Sequence, residues 1–311
     1  MPSLSTMWSQ GRFKREGAQG DDMTAFAETA ARLGFPQIEI NYVIPPAGVE
    51  ALLANNQVVV SSVHSPCPRV ACPDGRKSDA LNLASPDEDE RRLAVEYARA
   101  SVDIAARAGA PVIVVHLGGI GAEIFSEERE LRKLFDGGTR DGERVESLRQ
   151  RAAERRREAK DEYFPYARRS LAEIVEYAGA HGVAVGLENR YHFHEFPSVD
   201  ELPELLGDYP SQVAGFWLDV GHAEVLDRLG FFPHTRWLDE LGSRCLGAHV
   251  HDVNGLADHQ AAGHGTADWL HYAAKLPPAV PRVFEINQKT PEEQVASSIP
   301  FLRERGILPA D

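Results

Sequence analysis

Cationic residues are in deficit along this chain of 311 residues: 33 lysines and arginines stand against 47 aspartates and glutamates, a formal charge of −14. Such an acidic total argues against a nucleic-acid or anionic-membrane surface, because either ligand is repelled by it. Cysteine is scarce as well. Cys67, Cys72 and Cys245 are an odd number in a long chain, so the expectation is reduced thiols and a cytoplasmic protein. Cys67 and Cys72 have no second pair to complete a zinc site and read as loop thiols. No apolar run approaches the length of a membrane span, and the start M-P-S-L-S-T-M-W lacks the basic opening and long apolar stretch of a secretory signal. Two nucleotide signatures are missing too. No G-x-G-x-x-G follows the first strand candidate, and no phosphate-binding loop ends in Gly-Lys-Ser/Thr.

What the chain does have is a strict alternation. Short apolar or alternating runs, read as strands, fall at residues 4–8, 37–43, 58–63, 112–115, 183–188, 216–220, 245–250 and 282–286. Helix patterns separate them. One opens at Asp21-Asp22 and closes at Gly34, and another covers 47–54. Ser85-Pro86-Asp87-Glu88 starts a helix to Ala108 with a cap, a proline in the first turn and acids at the positive end of the dipole. Further helices are expected at 166–181, 199–206, 267–276 and from Thr290 onward; 223–241 reads as helix broken at Gly230 and Pro233, and 252–267 as a loop. Eight strands so separated predict a parallel sheet closed into a (β/α)8 barrel, one domain over residues 1–311, with an open doubly wound sheet as the alternative. The pattern is interrupted once, after the fourth strand, by a helical insertion at about 120–160. It comprises a short helix at 127–134, a turn at 136–141 and a mixed-charge helical segment at 150–160. This insertion is expected to lie over the site as a lid or a partner surface.

The strand ends carry the chemistry. Residues 183–190, V-A-V-G-L-E-N-R, place Glu188 at the end of a buried apolar run, where a lone carboxylate costs several kcal/mol unless a cation meets it. The same grammar delivers Asp219, His249 and Glu285 on the next three strands, at intervals of 31, 30 and 36 residues. Two earlier strands deliver His64 and His116, and His222 follows Asp219 by three. In a parallel barrel all strands end on one face, so these donors converge there. Three acids and an imidazole suit a divalent metal such as Mn²⁺ or Mg²⁺, with Co²⁺ and Zn²⁺ also fitting; the extra histidines point toward Zn²⁺ or a second ion.

These motifs, L-E-N at Leu187–Asn189, L-D-x-G-H at Leu218–His222, H-V-H-D at His249–Asp252 and F-E-I-N at Phe284–Asn287, resemble the xylose-isomerase-like TIM-barrel superfamily of sugar and sugar-phosphate isomerases and epimerases. The resemblance spans nearly the whole chain apart from the insertion. It implies Glu188, Asp219, His249 and Glu285 as metal ligands, Glu188 and Glu285 as the proton-exchanging pair, and His222 as a contact to substrate oxygen. His64, His116, Arg190 and His259 are expected to position the substrate, and His64, His116 and His222 are candidates for a second metal. Asn189 is expected to fix backbone. The implied reaction is proton transfer through an enediolate held by the metal, on a small sugar, sugar phosphate or inositol-type ketone, in a protein that is open to homo-oligomer formation. The same superfamily holds endonuclease IV-like phosphoester hydrolases, which His64, His116 and His222 also resemble. There the third-metal segment departs, since Asp258-His259-Gln260 before Gly263-His264-Gly265 shifts the Asp and replaces a Glu. A dehydratase or lyase on the same scaffold is a further alternative.

Overall fold

The structure is a computed structural model describing residues 1–14, 20–207 and 209–309. In chain order β1 (Pro2–Ser5) leads to α1 (Met23–Arg32), β2 (Gln37–Ile40), α2 (Pro46–Leu53), β3 (Val59–His64), α3 (Glu88–Ala108) and β4 (Val112–Val115). Helices α4 (Ser126–Asp136) and α5 (Glu143–Ala180) follow, then β5 (Ala184–Glu188), α6 (Leu202–Leu206), β6 (Ala214–Asp219), α7 (Val220–Arg228), α8 (Arg236–Leu241) and β7 (Cys245–His249). A hairpin of β8 (Asp252–Asn254) and β9 (Ala257–Gln260), α9 (Trp269–Lys275), β10 (Arg282–Phe284) and α10 (Glu292–Glu304) complete the chain.

The eight strands β1 to β7 and β10 close into one parallel barrel, β1 pairing with both β2 and β10. Period-two alternation decides which residues face the lumen and which face the helices. On β5, Val185 and Leu187 are buried in the main apolar core, whereas Gly186 and Glu188 take the opposite parity and face inward. The lumen itself holds Val112, Val114, Val283 and, largest, Trp217. Trp217 sits beside Gly247 in the ladder, and a Cβ on Gly247 would meet its ring at 2.2 Å; one on Gly186 would meet it at 3.2 Å. Two glycines on the flanking strands therefore make the room that lets one indole stopper the barrel.

Helix ends follow the chemistry expected of them. Asp87 accepts from the Asp89 and Glu90 amides, and Gly109 closes α3 at φ 67°, a left-handed conformation that glycine adopts without a side-chain clash. Three elements differ from the sequence reading. The first strand is Pro2–Ser5, because the Ser5 hydroxyl accepts from Met7 N and turns residues 6–9 into a short 3-10 helix. Residues 150–160 and 166–181 are one helix, α5, running through Pro165; a single lost amide donor does not break 38 residues packed against α3 and α4. Residues 252–260, read as loop, form the β8–β9 hairpin, with Gly255 at φ 60° in its turn.

Helices α4 and α5 form an antiparallel pair whose Leu131, Phe135, Val145 and Leu148 pack with Val225 and Leu229 of α7 and with Val253 and Leu256 of the hairpin. Cys67, Cys72 and Cys245 are buried free thiols. Among the described residues no helix is long and apolar enough to cross a membrane.

Candidate functional site

The barrel brings together all nine residues singled out in the sequence. Glu188, Asp219 and His249 end β5, β6 and β7, His64 ends β3, His116 follows β4, and Glu285 follows β10. His249 Nδ1 is the meeting point: Glu188 Oε1 lies 3.0 Å from it, Glu285 Oε2 3.1 Å and Asp219 Oδ2 3.6 Å. All four side chains are buried. Three carboxylates packed around one imidazole nitrogen are the hard-to-borderline donor set that suits a divalent cation. One donor atom each of His64, Glu188, His249 and Glu285 lies within 4.8 Å of the other three; Asp219 groups in the same way with His222 and His259. Asp219 thus faces two groups at once, and it also caps α7 by accepting from His222 N at 2.7 Å.

Around this centre the remaining expected residues close in. His64 Nε2 and His116 Nε2 approach Glu188 Oε2 at 3.2 and 2.6 Å, and Arg190 Nη1 lies 3.4 Å from the same oxygen. His222 Nε2 lies 3.5 Å from Asp258 Oδ2, and His259 reaches Asp258 through Nδ1 at 3.0 Å and Glu285 through Nε2 at 3.5 Å. Asp258, although displaced by one residue from the family pattern, therefore still faces His222. His259 adopts φ 54°, a left-handed backbone that aims its ring into the mouth. Asn189 does bind backbone: its amide donates to the Asp219 carbonyl at 2.9 Å, and its Oδ1 accepts from Asp219 N at 2.7 Å.

Several site residues carry no strand-end signal and were missed in the sequence. Glu39, in the middle of β2, is fully buried with its carboxylate 3.1 Å from His249 Nε2, and it accepts from the Ser5 and Ser62 hydroxyls. With an ion on the Nδ1 side, that contact would keep the remaining proton on Nε2. Asn41 donates to Glu285 Oε1 at 2.8 Å, and His251 Nε2 touches Asp219 Oδ2 at 2.9 Å. Glu195 accepts from Arg190 at 3.1 Å. The second histidine of H-V-H-D was visible as a motif; Glu39 was not.

The electrostatics follow from this packing. Burial pulls His249 down, but the Glu285, Glu39 and Glu188 carboxylates outweigh it and hold it well above the usual imidazole value. Burial raises Glu285, and His249 and His259 more than offset this, bringing it to about 2. Glu188 is held well below the usual range by His116 and His249 against its burial, and Asp219 by His222 and His251 against its own. The carboxylates are ionised at neutral pH.

A second layer holds the loop after β5. Glu128 of α4 is fully buried and accepts from Phe193 N at 2.9 Å, lies 2.8 Å from His192 Nδ1 and binds Arg132. Arg156 of α5 donates to the Phe193 and Glu195 carbonyls and pairs with Glu201 at 2.7 Å. Tyr191 of this loop donates to the Leu256 carbonyl in the hairpin at 2.6 Å. The two helices between β4 and β5 grip the loop that carries Arg190 and Glu195.

A family model described as a xylose isomerase-like TIM barrel matches residues 27–305. An uncharacterized protein of Methanocaldococcus jannaschii is 29% identical over 199 residues, 63% of this chain and 56% of that protein, so the chain spans little more than half the length of this curated relative. Among solved structures, a D-tagatose 3-epimerase-like protein superposes with a TM-score of 0.62 at 22% identity, over 98% of this chain and 96% of that one. The 3-keto-D-glucoside 4-epimerase of E. coli does so with a TM-score of 0.64 at 14% identity, over 97% and 98%. An L-ribulose 3-epimerase gives 0.65 at 14% identity, over 98% and 93%. At these identities the likeness is one of fold.

Proposed function

This chain belongs to the xylose isomerase-like TIM-barrel family, and from that membership we propose that it is a divalent-metal-dependent sugar isomerase or epimerase. The observation that carries the reading is the convergence of Glu188, Asp219 and Glu285 on His249 Nδ1 within 3.6 Å. The names of the structural neighbours, epimerases of ketoses and of a keto-glycoside, support it.

Glu188, Asp219, His249 and Glu285 would hold the ion, of the Mn²⁺, Mg²⁺, Co²⁺ or Zn²⁺ class. Bound there, it supplies Lewis acidity that makes the proton next to a substrate ketone easier to remove. Glu285 is ionised beside His249 and His259, and so can accept a proton. Glu188 ends β5 and Glu285 follows β10, one to remove the proton and the other to return it. Arg190, His64, His116, His222 and His259 line the mouth and hold the substrate hydroxyls and the charge that develops on oxygen.

A second reading is metal-dependent phosphoester hydrolysis of the endonuclease IV type. It is favoured by His64 and His116 on one Glu188 oxygen and by the Asp219, His222 and His259 grouping, which together offer more than one ion position. One experiment separates the two. Divalent-metal content is measured first, then solvent deuterium incorporation into ketoses and inositol-type ketones, beside nicking of an abasic duplex. Metal-dependent deuterium uptake next to the carbonyl supports the isomerase; nicking without exchange supports the hydrolase. A protein that neither carries nor regains a divalent ion removes both.

A further inference from the structure

The cavity at the metal donors does not end there. It encloses about 300 Å³ and is lined by His64, Glu188, His222, Asp258, His259 and Glu285 among others. A second chamber of about 250 Å³ adjoins it, running between the segment after β3 and helix α3, with Ser65, Ser78, Asp79, Leu81, Leu83 and Ala98 in its walls. Tyr42, His116, Arg190 and Glu195 line both, so they form the doorway between the two. Small-molecule sites usually enclose about 300–1,000 Å³; each chamber is at or under that lower bound, and the two joined lie within it.

The lining says what fits. Leu81, Leu83 and Ala98 give one apolar wall, and Ser65 and the Asp79 carboxylate give polar atoms, the pairing that a pyranose ring needs for its C–H face and its hydroxyl edge. Tyr42 stands edge-on to His64 and His116 at 5.0 and 5.6 Å, and its hydroxyl makes no hydrogen bond among the described residues. It is a donor placed at the doorway with its partner still to come. An anion is poorly served. Among the described residues in this chamber Arg190 is the one cation, and Glu188 and Glu195 already engage it, while Asp79 pairs with Arg69 and repels phosphate.

We infer that the second chamber is a subsite for an uncharged second sugar ring, so that the preferred substrate is a glycosylated ketose with no phosphate. This rests on the sugar reading proposed above. The test measures dissociation constants on the metal-reconstituted full chain for D-fructose, D-fructose 6-phosphate, and maltulose, isomaltulose and turanose. Those three disaccharides keep a ketose and attach the same glucose at different positions. The best disaccharide is expected to bind at least tenfold tighter than fructose, and fructose 6-phosphate no tighter than fructose. Leu81→Trp, which fills the chamber, brings the disaccharide down to the fructose level, and the surface variant His181→Ala keeps the ratio. Equal affinities, a preference for the phosphate, or no binding of any sugar overturns the subsite, and the wild-type ratio decides this even where Leu81→Trp does not fold. Deuterium exchange followed on the same samples keeps the two ideas apart. A tenfold ratio without exchange leaves the subsite and retires the isomerase, whereas exchange without the ratio does the reverse.

Discussion

His249 has two faces, and each does a separate job. Nδ1 meets Glu188, Asp219 and Glu285, while Nε2 meets Glu39. Glu39→Gln removes the charge that fixes the ring, and divalent-ion affinity by calorimetric titration is expected to fall about 10- to 100-fold. Glu285→Gln is expected to lower kcat by roughly 10²- to 10⁴-fold and to weaken the ion as well. His181, just past the end of α5, bonds the Tyr177 carbonyl and lies 3.9 Å from Asp103 of α3, neither of them a residue of the site, so His181→Ala is expected to leave turnover unchanged. Identical behaviour of the last two variants in a metal-dependent exchange assay would overturn the assignment. Six of the nine, His64, His116, Glu188, Asp219, His249 and Glu285, were legible because each interrupts an apolar run at its end; Arg190, His222 and His259 were found through the motifs beside them. Glu39 was not, because in Q-I-E-I-N the polar members of an alternating strand look solvent-facing, and sequence period alone does not say that the polar face is the lumen.

At the scale of elements, the two helices after β4 work through Glu128. Burial raises that carboxyl, but His192, Arg132 and the Phe193 amide outweigh it and hold it below the ordinary glutamate value. The sign follows from linkage: a depressed carboxyl contributes stability fully above its unfolded pKa, near 4.3, and loses it as pH falls through the lower folded value. Glu128→Gln is therefore expected to cost roughly 1–3 kcal/mol at pH 7 by denaturant unfolding, and the gap to the wild type should narrow as pH falls below that unfolded value. A gap that widens in acid would contradict the role given to this side chain. The insertion was legible as helix with a turn at Gly137-Gly138; its role was not, because the contacts that matter join residues some 60 positions apart. The hairpin was within reach: Asn254-Gly255 between strand-like residues is a turn signal that was passed over.

The molecule as a whole concentrates buried carboxylates at one end of its barrel, and an ion bound there adds to folding stability. At a free concentration a hundredfold over its dissociation constant, that gain is about 2.7 kcal/mol. Stripping the protein with a chelator is expected to lower Tm by on the order of 5 °C, and dialysis against Mn²⁺ or Zn²⁺ to restore it, read by calorimetry. Architecture was the most legible level of all, since eight alternations of strand and helix permit few parallel topologies and the chain closes the expected one.

Trp217, wedged between Gly186 and Gly247, has a kinetic corollary. With the Trp217 ring packed against His249, the lumen is blocked toward the far end of the barrel. A substrate and the product formed from it would then enter and leave at the same end of the barrel, and product would compete with fresh substrate for that end.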